Sequence, residues 1–187
     1  FLITINLNIN GYHNIYNSLA AFALAHEYIL DVNIIKNAIE KYHGVGRRFE
    51  YLGKYNGAYI YDDYAHHPSE IKTTLESVKS VKHKSSWAVF QSHTYSRTKE
   101  HLDAFADVLA NFDHVIIAKI YPAREINTFN ISEEMLVDKI KDKNPNVIYI
   151  DDFDKIVEFL KENVKEEDLV ITIGAGPINY VSKKLVD

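Results

Sequence analysis

Apolar and polar positions alternate at the start of the chain. Ile3, Ile5, Leu7 and Ile9 fall on one side, and Thr4, Asn6 and Asn8 on the other. A period of two is the pattern of a half-buried strand, so residues 3–9 predict one. Gly11 ends it, and the Ala-rich run 18–27 has the composition of a helix. Asp31 reads as the N-cap of a second helix, 32–42, with Gly44 as its terminator. From Phe49 the pattern changes: the runs 49–54 and 58–61 flank Tyr55-Asn56-Gly57, which predicts a hairpin. Apolar runs at 87–91, 114–118, 147–150 and 169–173 then alternate with helical patterns at 68–82, from 98 to about 112, from 132, and at 152–164. A last short helix follows Gly174-Ala175-Gly176. Strands alternating with helices of this length predict right-handed βαβ units, hence an α/β fold with a Rossmann-like, mostly parallel sheet flanked by helices. Residues 1–46, a strand and two helices, read as the tail-end of a preceding domain, and 47–187 as the domain that carries the sheet.

Composition narrows the class. The chain has 187 residues, 47% of them apolar, which is enough to bury a real core. Its net charge is −5 with no long basic block, so no nucleic-acid footprint is predicted. There is no cysteine, which removes disulfides and thiolate metal sites and fits a reducing compartment. No apolar run reaches the roughly 20 residues of a membrane helix, and no charged leader precedes an apolar run. The chain opens on Phe1 instead of Met, and its only methionine is Met135. It therefore reads as a piece cut or trimmed from something longer, a cloning remnant being the duller account of its first residues.

The densest chemistry lies in Asp62-Asp63-Tyr64-Ala65-His66-His67-Pro68-Ser69-Glu70, where an apolar run gives way to a helical pattern. In open α/β sheets ligands bind outside the carboxyl ends of strands, where this turn is predicted to lie. Pro68 suits a first helical turn and Glu70 suits the helix dipole. Similar polar turns follow the strands at 91–97, 121–125 and 174–176. A parallel sheet would collect Asp62, Asp63, His66, His67, His93, Arg97, Arg124 and Glu125 around one cleft. Asn14 and Asn17, three apart beside His13, share a helical face and could read a base edge, or simply cap a helix. Arg47-Arg48 after Gly44 and Gly46 could bring a planar guanidinium to a phosphate across a hinge, or be two surface arginines. Gly174-Ala175-Gly176 lacks the third glycine of a dinucleotide fingerprint, and no Gly-x-x-x-x-Gly-Lys-Ser/Thr loop exists. A divalent metal among Asp62, Asp63, His66 and His67 is a minor reading, and no metal ligand is assigned.

Six words in order then point further: Gly11-x-His13-Asn14-x-x-Asn17, Gly44-Val45-x-Arg47-Arg48-Phe49-Glu50, Asp62-Asp63-Tyr64-Ala65-His66-His67-Pro68, Phe90-Gln91-x-His93-x-Tyr95-Ser96-Arg97-Thr98, Tyr121-x-Ala123-Arg124-Glu125 and Gly174-Ala175-Gly176. Together they resemble the Mur ligase family over essentially the whole chain, and within it the branch that adds L-alanine. The resemblance implies three domains, of which residues 1–46 would end the central ATPase domain and 47–187 would form the C-terminal Rossmann-like domain. It implies a cytoplasmic bacterial enzyme that uses ATP and Mg²⁺ to activate the carboxylate of UDP-N-acetylmuramate as an acyl phosphate. The amine of L-alanine then attacks to give an amide, ADP and phosphate. His13, Asn14 and Asn17 would lie at the adenine, and Arg48 and Asp63 at the nucleotide after domain closure. Tyr64, His66, His93, Arg97 and Arg124 would approach the muramyl and alanine end, with Arg48, Asp63 and His66 counted as catalytic. The main ATP and Mg²⁺ ligands are expected in N-terminal domains absent from this chain, which alone is predicted inactive.

The sequence also departs from the family pattern. Ser92 and Thr94 stand where many members have Pro and Arg, so Arg97 would carry more of the substrate's charge, and Pro177 stands where Asp is common. Three other readings remain: the related ligase that re-attaches a recovered tripeptide, a non-catalytic module binding a nucleotide or muramyl peptide, and a metal-dependent hydrolase using Asp63 and His66.

Overall fold

The computed structural model describes residues 2–9, 11–28 and 31–187; Phe1, Asn10, Ile29 and Leu30 lie outside them. The chain divides into two compact units, Phe1–Gly46 and Arg47–Asp187.

In the first unit, residues 2–9 alternate in exposure as the sequence pattern demands, yet they join no strand among the described residues. A ladder needs a neighbouring strand. Here the Asn6 N–H instead donates to Glu40 Oε1 at 2.9 Å, and the Asn8 amide donates to the Glu40 carbonyl at 2.5 Å. The helices are α1 (Tyr12–Glu27) and α2 (Val32–Glu40), and the Asp31 side chain caps α2 by accepting from the Asn33 N–H at 2.8 Å. Helix α1 buries none of its side chains and leaves Tyr12, Tyr16, Leu19 and Leu24 exposed.

The second unit is one six-stranded sheet in the order β1-β2-β6-β3-β4-β5. Strands β1 (Glu50–Tyr55) and β2 (Ala58–Asp63) form the expected antiparallel hairpin. Asn56 and Gly57 both take positive φ, 46° and 83°, as a two-residue type I′ turn requires. Strands β2, β6 (Leu169–Ile173), β3 (Ser86–Phe90), β4 (His114–Ala118) and β5 (Val147–Ile150) are all parallel. The period of two sorts each strand onto two cores. Ala88, Phe90, Val115, Ile117 and Ile171 face α3 (Pro68–Ser80), α5 (Leu102–Leu109) and α6 (Glu133–Lys141). Trp87, Val89, Ile116, Ala118 and Val170 face α7 (Phe153–Asn163) and α8 (Asn179–Val186). Each fully buried Phe, Ile or Leu contributes about 1.5–3 kcal/mol. The helix predicted to run to about 112 is interrupted: α4 (Tyr95–Glu100) ends at His101, which sits at φ −111° with its ring against His67 and Phe105.

This topology places the cleft. The chain leaves β2, β3 and β4 toward one face of the sheet, but leaves β5 and β6 toward the other. Because β6 lies between β2 and β3, loops diverge at its carboxyl end, which is where open α/β sheets form a crevice.

Candidate functional site

The turns after β2, β3, β4 and β6 all lie at the carboxyl edge of the parallel strands. Helix α3 is anchored there by a capping box. Pro68 occupies its first turn, and Glu70 Oε2 accepts from the His66 and His67 N–H groups at 2.9 and 3.1 Å. Burial alone would push the Glu70 carboxyl up. The two N–H groups, with the charges of His66 and Arg48, hold it below the ordinary range.

Asp62 and Asp63 are consecutive on β2, so the pleat sends their carboxylates to opposite faces. Asp62 is 1% exposed. It takes the Arg47 Nε–H at 2.8 Å and the Thr172 hydroxyl at 2.6 Å. Asp63 is 7% exposed and accepts from the Ala65 N–H at 3.0 Å, the Phe49 N–H at 3.2 Å and the Thr74 hydroxyl at 3.0 Å. Burial pushes its carboxyl above the usual range, against the pull of those three donors and of the Arg48 charge. Three internal donors occupy most of what a carboxylate can accept.

Beyond the two aspartates runs a row of rings. Tyr64 and His66 have centroids 5.6 Å apart, His66 and His93 6.1 Å, and His93 and Tyr121 5.5 Å. The row joins the turns after β2, β3 and β4. Bonds between backbones fix the β3 and β4 turns to each other: the Thr94 N–H donates to the Tyr121 carbonyl at 2.8 Å, and the Tyr121 N–H to the Ser92 carbonyl at 2.9 Å. Burial, then the Arg97 charge and the His66 ring, hold the His93 imidazole below its ordinary pKa, with Glu125 pulling the other way. His93 Nδ1 is buried and has no hydrogen-bond partner among the described residues. His93 is therefore expected to titrate below 6.5 in a ¹⁵N-detected NMR titration, and Arg97→Ala should move its midpoint up. The depressed pKa also means the unfolded chain binds this proton more tightly, so falling pH below about 6.5 removes stability here. A wild-type midpoint at or above 6.5 would show that burial and Arg97 do not depress this imidazole.

Thr94 does not replace an arginine. It sits at φ 69° as the N-cap of α4, its hydroxyl accepting from the Arg97 N–H at 3.4 Å. Glu125 is engaged by the Ser96 hydroxyl and the Ser96 N–H, and both hold its carboxyl below the ordinary range. Arg124 and Arg48 are exposed, and neither makes a side-chain hydrogen bond among the described residues. In the first unit, His13 and Asn17 are exposed at the start of α1, and the Asn17 amide donates to Asn14 Oδ1 at 3.3 Å. No group of three or more His, Asp or Glu side chains is arranged to hold a metal among the described residues.

Two side chains carry contacts that the sequence did not assign to them. Arg47 turns inward, donating from Nη2 to the Gly174 and Gly176 carbonyls at 2.6 and 3.2 Å. Gln91, 3% exposed, gives its amide to the Lys119 carbonyl at 3.0 Å and rests its side-chain oxygen where a Cβ on Gly176 would stand, 2.3 Å away. The side chain of Gln91 also lines a cavity of about 530 Å³ with Tyr121, Phe153 and Tyr180. The paired arginines were visible in sequence, but which of them turns inward was not.

Comparison with known proteins adds the following. The family profile described as Mur ligase, glutamate ligase domain, matches residues 47–176. A UDP-N-acetylmuramate–L-alanine ligase of Lachnospira eligens is 46% identical over 183 residues, covering 98% of this chain and 40% of that protein. The enzyme of that name from Caldanaerobacter subterraneus is 48% identical over 187 residues, covering 100% of this chain and 41% of that protein. The chain thus spans about two fifths of the length of the curated relatives it matches. Among solved structures, the UDP-N-acetylmuramate–alanine ligase MurC of Thermotoga maritima superposes with a TM-score of 0.81 at 27% identity, over 98% of this chain and 39% of that one. A murein peptide ligase of Psychrobacter arcticus shares the fold with a TM-score of 0.64 at 24% identity, over 97% of this chain and 38% of that one.

Proposed function

The chain belongs to the Mur ligase family, and from that premise we propose that it is the C-terminal portion of a longer ATP-dependent ligase joining L-alanine to UDP-N-acetylmuramate in peptidoglycan precursor synthesis. The observation that carries this reading is the likeness, along the whole chain, to alanine-adding ligases. In this proposal residues 1–46 end the central ATPase domain, which accounts for the apolar side chains that α1 leaves uncovered. Residues 47–187 are the domain that closes over the reactants in the cytoplasm.

The proposed chemistry divides as follows. The muramate carboxylate attacks the γ-phosphorus of ATP, giving an acyl phosphate and ADP. The alanine amine attacks the acyl carbon, and phosphate leaves with the electron pair. His13, Asn14 and Asn17 take the adenine, and Arg48, with Asp63 behind it, takes the nucleotide phosphates. Tyr64, His66, His93, Arg97 and Arg124 face the muramyl and alanine end. A neutral His93 can accept the proton that alanine's ammonium gives up to become the attacking amine, and Arg97 supplies the positive charge that Thr94 lacks. Closing the ring row over the acyl phosphate would keep water from it. Mg²⁺ would shield phosphate charge during transfer. Its main ligands are assigned to the remainder of the protein.

The test is phosphate release from ATP by the longer protein. Release should require UDP-N-acetylmuramate and L-alanine together, and the 187-residue chain alone should release none. Release with a muramyl tripeptide in place of alanine would transfer the reading to the tripeptide-recycling ligase. Turnover by the isolated chain would overturn it.

A further inference from the structure

We propose that Arg47 is a positioning residue, a clamp that ties the β2 and β6 turns together and so aims Arg48 and Tyr64 at the reactants. The proposal rests on the ligase reading above. Its contacts join several segments of the second unit. The guanidinium donates to buried Asp62 at 2.8 Å and to the carbonyls of Gly174 and Gly176 at 2.6 and 3.2 Å. It also lies 4.9 Å from the centre of the Tyr64 ring. Its backbone N–H donates to Glu50 Oε2 at 2.7 Å, and its carbonyl accepts from the Tyr64 N–H at 2.7 Å.

The neighbouring backbone shows what this clamp holds. Arg47 and Phe49 both take positive φ, 60° and 47°, a conformation that side chains with a Cβ adopt at a cost. Arg48 stands between them, exposed and without a hydrogen bond among the described residues. The Phe49 N–H is pinned to Asp63 at 3.2 Å. A strained turn fastened on both sides presents one unengaged guanidinium in a fixed direction. Only a planar fork can reach Asp62, two carbonyls and a ring face together, so lysine is a poor substitute at position 47.

The experiment is a double-mutant cycle in the longer protein, read as phosphate release. Arg47→Ala is expected to lower kcat by roughly 10- to 100-fold, the scale on which a misplaced group costs rate, with the KM for ATP nearly unchanged. In an Arg48→Ala background the same change should cost no more than about threefold, because interactions that act as a unit are not additive. Arg47→Gln, which keeps a planar donor toward Asp62, repeats the cycle if Arg47→Ala fails to fold. Full multiplication of the two losses, or a wild-type rate in Arg47→Ala, overturns the proposal. If the parent protein shows no alanine-dependent turnover, the ligase reading fails on its own. The clamp is then read by amide exchange in the 187-residue chain. Faster exchange at Tyr64 and Gly174 in Arg47→Ala supports it, and unchanged exchange overturns it.

Discussion

Gly174→Ala is expected to destabilise the second unit by about 3 kcal/mol, the sum of backbone strain and overpacking at one atom. Gly174 sits at φ +151°, and a Cβ there would stand 2.6 Å from the Gln91 carbonyl oxygen and 3.3 Å from Ile178 Cγ2. The backbone oxygen has little room to yield, because the Gln91 N–H is tied to the Ile173 carbonyl at 2.9 Å. Gly174 is itself held on both sides, donating to the Asp63 carbonyl at 3.0 Å and accepting from Arg47 at 2.6 Å. For a chain of this size 3 kcal/mol lowers the melting temperature by about 6–12 °C. The chain's only tryptophan, Trp87, is buried in β3, so its fluorescence follows this unit. Gly57→Ala is the control. It also has positive φ, 83°, but its Cβ would meet Glu166 Cγ at 2.7 Å, a side-chain carbon that a change of rotamer can move, and a loss of about 1 kcal/mol is expected. Equal shifts in the two variants would mean that the close approach to Gln91 relaxes freely.

The sheet was legible because its signals are local and repeated. The central strands of the second unit are short apolar runs, and Asn56-Gly57 announces its own hairpin. Residues 3–9 carry an equally clean alternation and yet form no ladder among the described residues, since period reports which side chains are covered and not whether a partner strand is present. The site was legible as a set of turns and not as a set of contacts. Asp62 and Asp63 are indistinguishable in composition, and what separates them is the pleat, which sends one to Arg47 and Thr172 and the other to Thr74. Arg47 and Arg48 differ in the same way, through backbone dihedrals that no residue type in the Gly46-Arg47-Arg48-Phe49 word announces. Gln91 was passed over because its importance lies in filling the space that Gly176 leaves, a relation between two strands' ends.

Under the proposed ligase function, Arg48→Ala in the longer protein is expected to lower kcat by about 10³-fold, the lower end of what an arginine aimed at a transferring phosphoryl group supplies. The expectation rests on where the guanidinium is and on what it leaves undone. Arg48 is exposed on the turn that joins Gly46 to β1, and its charge is the smallest of the influences that favour the ionised forms of Asp63 and Glu70. Among the described residues neither carboxylate forms an ion pair with it: Asp63 is occupied by two backbone N–H groups and the Thr74 hydroxyl, and Glu70 by two backbone N–H groups. A surface arginine that only tunes its neighbours would lose little on truncation, because exposed pairs contribute about 0–1 kcal/mol. A thousandfold loss corresponds to about 4 kcal/mol, which requires a partner that appears only in the reaction. Single-turnover phosphate release separates the two cases. Loss in the chemical step, with UDP-N-acetylmuramate binding unchanged, places Arg48 at the phosphoryl group. A variant keeping more than about a tenth of the wild-type rate would make it a solvated neighbour of Asp63, and the strain stored at Arg47 and Phe49 would then serve the fold alone.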